Sequence, residues 1–212
     1  AIQDPAGAAT VASITDEPGM KGNIMPSRLG HTIVYTIGTN TVAVRNLVTR
    51  ETRTFEGTNP SISADGSLVA WLGRNPMEFT INVLSLTIPG PPTVIKRSPR
   101  PLATPVPSPD GQKVAYASQL RDDWEIYVIG ANGQADTRIT REIQHDRNPQ
   151  WLTADRLLAV KGEPRHMRSY VYTLSTGTEQ RLHHNNTVRT VAPEYDWAPS
   201  SNGHKVLIVA DR

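Results

Sequence analysis

Few residues in this 212-residue chain have types and spacings suited to covalent chemistry. It contains no cysteine, which excludes disulfides, thiolate-bound zinc and thiol nucleophiles. It has no Gly-x-Ser-x-Gly elbow, no His-Glu-x-x-His pair and no Gly-x-x-x-x-Gly-Lys phosphate loop. A nucleophile, base and acid can be assembled on paper from Ser118, His145 and Asp146, but any chain of this length offers such a set. Asp122 and Asp123 are adjacent, so in a strand they would face opposite sides and make a poor acid pair. Among the six histidines, His183 and His184 are neighbours, His145 sits beside Asp146, and His166 falls in a loop. None has the i, i+2 or i, i+4 spacing of a compact ligand set, so solvated loop histidines are expected. The sequence therefore predicts no catalytic residue, no cofactor and no metal.

The elements that must position these side chains follow from a repeat. Asp65-Gly66, Asp110-Gly111 and Asp155 are spaced 45 residues apart, and Asn202-Gly203 follows 47 later. Seventeen residues after each of the first three anchors comes the centre of an apolar run, at Asn82, Tyr127 and Tyr172. Pro60, Pro105 and Pro149 precede the turns, as does Pro193 or Pro199. A period of 40 to 50 residues with about four short strands is the pattern of β-propeller blades. The turns have a mechanism: Pro109 presets φ, Asp110 accepts from nearby backbone amides, and Gly111 takes the positive φ that closes the hairpin. Trp71, Trp124, Trp151 and Trp197 recur near strand positions and are expected to pack between neighbouring blades.

The predicted fold is thus an all-β propeller of four-stranded antiparallel blades. About four and a half are present, as part of a six-bladed or larger ring. Residues 1-25 form an extended lead-in, and 26-212 the incomplete propeller. Its blades span about 26-57, 58-102, 103-147 and 148-190, with a half-blade at 191-212. The innermost strand of the first blade is expected near Ile24 to Arg28, and that of the half-blade over Glu194 to Trp197. The last strand, Lys205 to Ala210, is expected to have its free edge covered by something outside this half-blade.

Composition narrows the function classes. The net charge is +2, which gives no strong field for nucleic acid. No apolar stretch approaches the ~18 residues of a membrane span. The chain begins at Ala1 rather than Met, which is read as a mature exported protein or an excised piece.

The third unit carries the most specific wording. Residues 107-118 read Pro-Ser-Pro-Asp-Gly-Gln-Lys-Val-Ala-Tyr-Ala-Ser, followed by Arg121-Asp122-Asp123-Trp124-Glu125-Ile126-Tyr127-Val128, Asn132-Gly133 and Thr137-Arg138-Ile139-Thr140. This closely resembles the WD40-like PD40 repeat of TolB-type six-bladed propellers, a repeat also found in propeller domains of prolyl-oligopeptidase-like and amidohydrolase-like hydrolases. Blade four departs from it, with Thr153-Ala154-Asp155-Arg156 where Pro-Asp-Gly would stand.

In such a propeller the loops joining strands two and three emerge on the same face as those joining consecutive blades. Here they hold ten Arg and Lys residues against six Asp and Glu, from Arg74 to Arg189. Arg121, Asp122, His145, Arg147, Arg165 and Arg168 are the candidate partner-binding residues. The resemblance implies a non-catalytic bacterial TolB-like module, periplasmic or secreted, with cytoplasm as the alternative. Its expected partner is a protein, with an acidic segment as complement to the basic loops, rather than nucleic acid or the membrane interior. The rival readings are a propeller domain of a larger secreted hydrolase, with the catalytic domain outside this chain, or an auxiliary subunit of a membrane-associated complex.

Overall fold

The computed structural model describes residues 2–3, 9–10, 13–75, 77–141, 145–162, 168–182, 197–200 and 204–208. Among these residues every regular element is a β-strand. A short lead-in pair, β1 (Ile2–Gln3) and β2 (Ala9–Thr10), is antiparallel. Blade one is β3 (Lys21–Pro26), β4 (Thr32–Ile37), β5 (Thr41–Asn46) and β6 (Thr52–Glu56). Blade two is β7 (Thr58–Ile62), β8 (Leu68–Arg74), β9 (Phe79–Ser85) and β10 (Thr93–Ser98). Blade three is β11 (Leu102–Pro107), β12 (Lys113–Leu120), β13 (Asp123–Gly130) and β14 (Thr137–Arg138). Blade four is β15 (Asp146–Thr153), β16 (Arg156–Lys161), β17 (Arg168–Thr173) and β18 (Thr178–Arg181). A two-stranded sheet follows, β19 (Trp197–Pro199) with β20 (Val206–Ile208).

Each four-stranded sheet is a simple antiparallel meander in chain order. First strands of successive blades are neighbours, β3 against β7, β7 against β11 and β11 against β15, so they sit innermost. A meander puts alternate hairpins at opposite ends. The second-to-third-strand hairpins and the blade-to-blade connections therefore share one face.

One strand position differs from expectation. The innermost strand of blade one begins at Lys21, because Asn23 takes a left-handed conformation (φ 48°) and the register shifts between Gly22 and Met25, extending pairing towards the N-terminus. Strand β14 stops at Arg138. There the Thr140 hydroxyl receives the Ile126 N–H at 2.9 Å, replacing ladder pairing with a side-chain bond. In the half-blade, Glu194 to Asp196 and the residues after Ile208 lie outside the described residues.

The blades stack through their faces. In β8, Val69 and Trp71 join Val34, Val42 and Val44 of blade one, while Leu68 and Ala70 join Val114, Tyr116 and Ile129 of blade three. Both faces are buried, so the strand reads as an unbroken apolar run. Trp71 and Trp151 are 2% and 7% exposed, and each indole crosses to the preceding blade, Trp71 Nε1 donating to Glu56 O (3.1 Å) and Trp151 Nε1 to Val106 O (2.8 Å). The lead-in is pinned to blade one by Glu17, whose Oε1 accepts from Tyr35 Oη (3.1 Å), Arg45 Nη1 (3.3 Å) and Thr52 Oγ1 (3.1 Å).

The first-to-second-strand turns share one hydrogen-bond scheme. In blade three Ser108 Oγ donates to Asp110 Oδ1 (2.6 Å) and accepts from Lys113 N (2.9 Å), while Gly111 N (φ 67°) closes onto Ser108 O (2.9 Å). Ser63 does the same in blade two with Asp65 and Leu68. The hydroxyls of Ser27 and Ser200 take the N–H five residues on, from Thr32 and Lys205. In blade four, where glycine is missing, Asp155 instead accepts from Ser175 N (2.8 Å) and Ser175 Oγ (2.6 Å) on the outer turn.

Candidate binding surface at the junction of blades three and four

The face carrying the second-to-third-strand hairpins gathers several predicted residues at one junction. Strands β12 and β13 are joined by a tight hairpin whose last pair is Leu120 with Asp123. Arg121 sits at its tip with φ 61°, and both Arg121 and Asp122 are exposed. Asp123 starts β13, where its Oδ1 accepts from Trp124 N (2.7 Å) and lies 3.0 Å from Nδ1 of His145, just before β15. Two residues on, the Arg147 guanidinium lies over the Trp124 ring, 5.7 Å from its centroid. Blade three's hairpin thus meets the start of blade four through the Asp123–His145 contact and a cation–π contact, with Arg121 and Arg147 both exposed.

Arg168 begins β17 opposite Lys161, one strand further out, and is half-buried. Of the six expected residues, Arg121, Asp122, His145 and Arg147 form a contiguous rim. Arg168 lies in the next strand row, and Arg165 lies outside the described residues. Glu163, His166, His183, His184 and Arg189 lie outside them too, and the Arg74 side chain is not described. The paper triad does not assemble: His145 Nδ1 meets Asp123, while neither oxygen of Asp146 has a hydrogen-bond partner. Trp124 departs from the interblade packing of Trp71 and Trp151, because it is half-exposed beneath Arg147.

Beneath this rim lies a buried polar layer that sequence reasoning missed. Glu125 is 2% exposed, and its carboxylate accepts from Arg138 Nη2 and from Thr140 Oγ1 (2.6 Å). Lys161 is 5% exposed, reaches Glu179 at 3.2 Å and stands over the Tyr170 ring at 4.9 Å. Asp146 is fully buried. Burial pushes its carboxyl up to about 7; Thr140 and Lys161 pull it down, while the charges of Glu125 and Asp123 add to the rise. Among the described residues no cluster of three or more His, Cys, Asp or Glu could hold a metal ion.

The axis shows a second repeated feature. The innermost strand of each four-stranded blade carries a register shift and a left-handed residue: Asn23, Asn59, Thr104 and Asn148, with φ of 48°, 50°, 44° and 52°. Such bulges re-aim a side chain, and these four line an axial groove of about 720 Å³. Its sequence signal was the recurring Asn-Pro or Thr-Pro pair at Asn59-Pro60, Thr104-Pro105 and Asn148-Pro149.

Strand meander, repeat length, stacked faces and axial groove define the architecture, and solved structures share it. The putative TolB from Agrobacterium tumefaciens superposes with a TM-score of 0.70 at 17% identity, over 93% of this chain and 72% of that one. The chain has a TolB-like β-propeller fold. TolB from Acinetobacter baumannii gives 0.68 at 16% identity, over 91% of this chain and 49% of that one. An oligogalacturonate lyase in complex with manganese gives 0.63 at 16% identity, over 80% and 55%. This TolB-like chain therefore spans about half the length of the lyase and of the Acinetobacter protein. No protein-family model and no curated protein sequence matches it. Among the described residues no helix is long and apolar enough to cross a membrane.

Proposed function

We propose that this TolB-like propeller is a non-catalytic recognition module that binds an acidic protein segment at the rim between blades three and four. The observation that carries this reading is the clustering of Arg121, Asp122, His145 and Arg147, with the Arg147 guanidinium held on Trp124. A guanidinium fixed on an aromatic ring loses little freedom on meeting a carboxylate, and its in-plane donors remain available for bidentate pairing. Arg168 extends the same charge outward along blade four. The likeness to TolB supports the binding role and a periplasmic or secreted location. The lyase likeness supports the rival, a propeller that serves a catalytic unit.

Peptides selected from a random displayed library on the purified protein test the reading. Acidic sequences are expected, and reversal of Arg121, Arg147 and Arg168 to Glu should weaken their binding at least tenfold, with a loss that shrinks as salt rises. Reversal of Asp65, Asp110 and Asp155 to Lys on the opposite turns should leave binding intact. Peptides without acidic residues, or equal losses from the two sets, overturn the assignment.

A further inference from the structure

Ser13 to Met20 lead into β3 with six of the eight residues exposed; Thr15 and Glu17 are half-buried. The Glu17 carboxylate enters a pocket built by blade one. Tyr35 Oη from β4 (3.1 Å), Arg45 Nη1 from β5 (3.3 Å) and Thr52 Oγ1 from β6 (3.1 Å) converge on its Oε1. These three groups are braced within the blade. Tyr35 is fully buried in the cluster of Ile33 and Ala43, and Arg45 Nη1 also donates to Thr52 Oγ1 at 3.0 Å. Arg45 is the deeper partner, its side chain 12% exposed against 27% for Glu17, so the acid is the piece that comes in from outside.

A guanidinium at that depth needs a counter-charge. Among the described residues Arg45 has no ion pair besides Glu17, so an emptied pocket leaves it the Thr52 hydroxyl and no anion, a costly state for a buried cation. The best occupant of a vacated pocket is therefore another carboxylate, received by two hydroxyls and a guanidinium. Glu17 leaves room for a better fit, because the three donors of blade one all meet Oε1 and none meets Oε2. Its carboxyl is held below the ordinary 4.5 by its own backbone N–H first, and then, against the cost of burial, by Tyr35, Thr52 and Arg45. We infer that Tyr35, Arg45 and Thr52 form a binding site for an acidic side chain of a partner protein segment, with Glu17 as the chain's own exchangeable occupant. A tethered Glu17 competes at an effective concentration in the millimolar range, so a segment offering several carboxylates displaces it where a lone small acid does not. Exchange frees Ser13 to Gly19, while the Gly38 N to Met20 O bond (2.9 Å) and the Lys21–Ile37 pairing keep β3 in place. The site is separate from the rim between blades three and four, since all its donors belong to blade one.

Titration of the purified protein with a capped (Glu-Gly)3 peptide, followed by amide NMR, tests the assignment, with capped (Gln-Gly)3 as neutral counterpart. In the wild type, saturable shifts are expected at Tyr35, Arg45 and Thr52, and the amides of Ile14 to Gly19 should exchange faster as the lead-in is released. The neutral peptide should do neither. Glu17→Ala removes the internal competitor and should tighten binding at blade one at least tenfold. Signals of Arg121 and Arg147 report the rim separately, and its triple reversal to Glu should leave the blade-one response unchanged, so failure at one site is distinguishable from failure at the other. Wild-type shifts that spare Tyr35, Arg45 and Thr52 overturn the inference, an arm that needs no variant. An equal response to the neutral peptide, or unchanged blade-one affinity in Glu17→Ala, overturns it as well.

Discussion

Glu125 and Asp146 are both buried near the same junction, and their surroundings separate them. Glu125 has an arginine and a hydroxyl for its two oxygens, whereas Asp146 has neither. The Asp146 carboxyl is raised from 3.8 to about 7, chiefly by burial. Between those values the folded state holds a proton that the unfolded chain releases. The stability this group contributes is therefore complete below about pH 4 and is lost as pH rises through about 7. Asp146→Asn removes that titration while keeping the shape. The variant should be more stable than the wild type above pH 7 by a few kcal/mol, with the advantage shrinking towards pH 4. Urea unfolding of both proteins across this range measures it; an advantage independent of pH would show that the carboxyl is not buried as described.

At the scale of elements, the turns explain why the repeat is so regular. An ideal Cβ built on Gly111 would lie 2.1 Å from Ser67 Oγ and 3.3 Å from Leu68 Cβ of the preceding blade, and its φ is 67°. Gly177 has a similar φ of 63° but open space around it. Gly177→Ala should cost about 1 kcal/mol, the left-handed penalty alone, and Gly111→Ala roughly 2 to 4 kcal/mol because the blades must also shift. Equal midpoint losses in denaturant would show that the turn does not set blade spacing. Much of this was legible in the sequence. Asp-Gly anchors and apolar runs located the strands, since runs such as Leu68 to Leu72 are buried on both faces. The serine that closes each turn was not singled out, because Ser63 and Ser108 look like ordinary polar turn residues until their hydroxyls are seen bridging the hairpin. The bulges at Asn59 and Asn148 were hidden for a similar reason: a left-handed residue leaves no trace in hydrophobic periodicity. Candidate site residues were legible where charge alone marked them, as at Arg121 and Arg147. Asp146 was read only as a neighbour of His145, since burial and lack of a partner arise from packing between blades.

In the whole molecule each blade is held mainly by the blades beside it. Blades one and two share the core around Trp71, two and three the core around Tyr116 and Ile129, and three and four the core around Trp151 and Leu157. The interblade hydrogen bonds follow the same neighbour rule, with Arg28 N reaching Ala64 O (3.1 Å) and Asp65 N reaching Pro109 O (3.1 Å). Free energy in such an arrangement is close to a sum of blade terms and nearest-neighbour terms, so damage should spread one blade at a time. Ile129 is 1% exposed and belongs to the core shared by blades two and three. Ile129→Ala should cost about 2 to 5 kcal/mol at that interface. Hydrogen exchange should then quicken in β8, β9, β12 and β13 while the amides of β4 and β5 in blade one keep most of their protection. A uniform loss of protection through all four blades would mean that the propeller opens as a single cooperative body, and that the interblade cores are coupled well beyond their immediate neighbours.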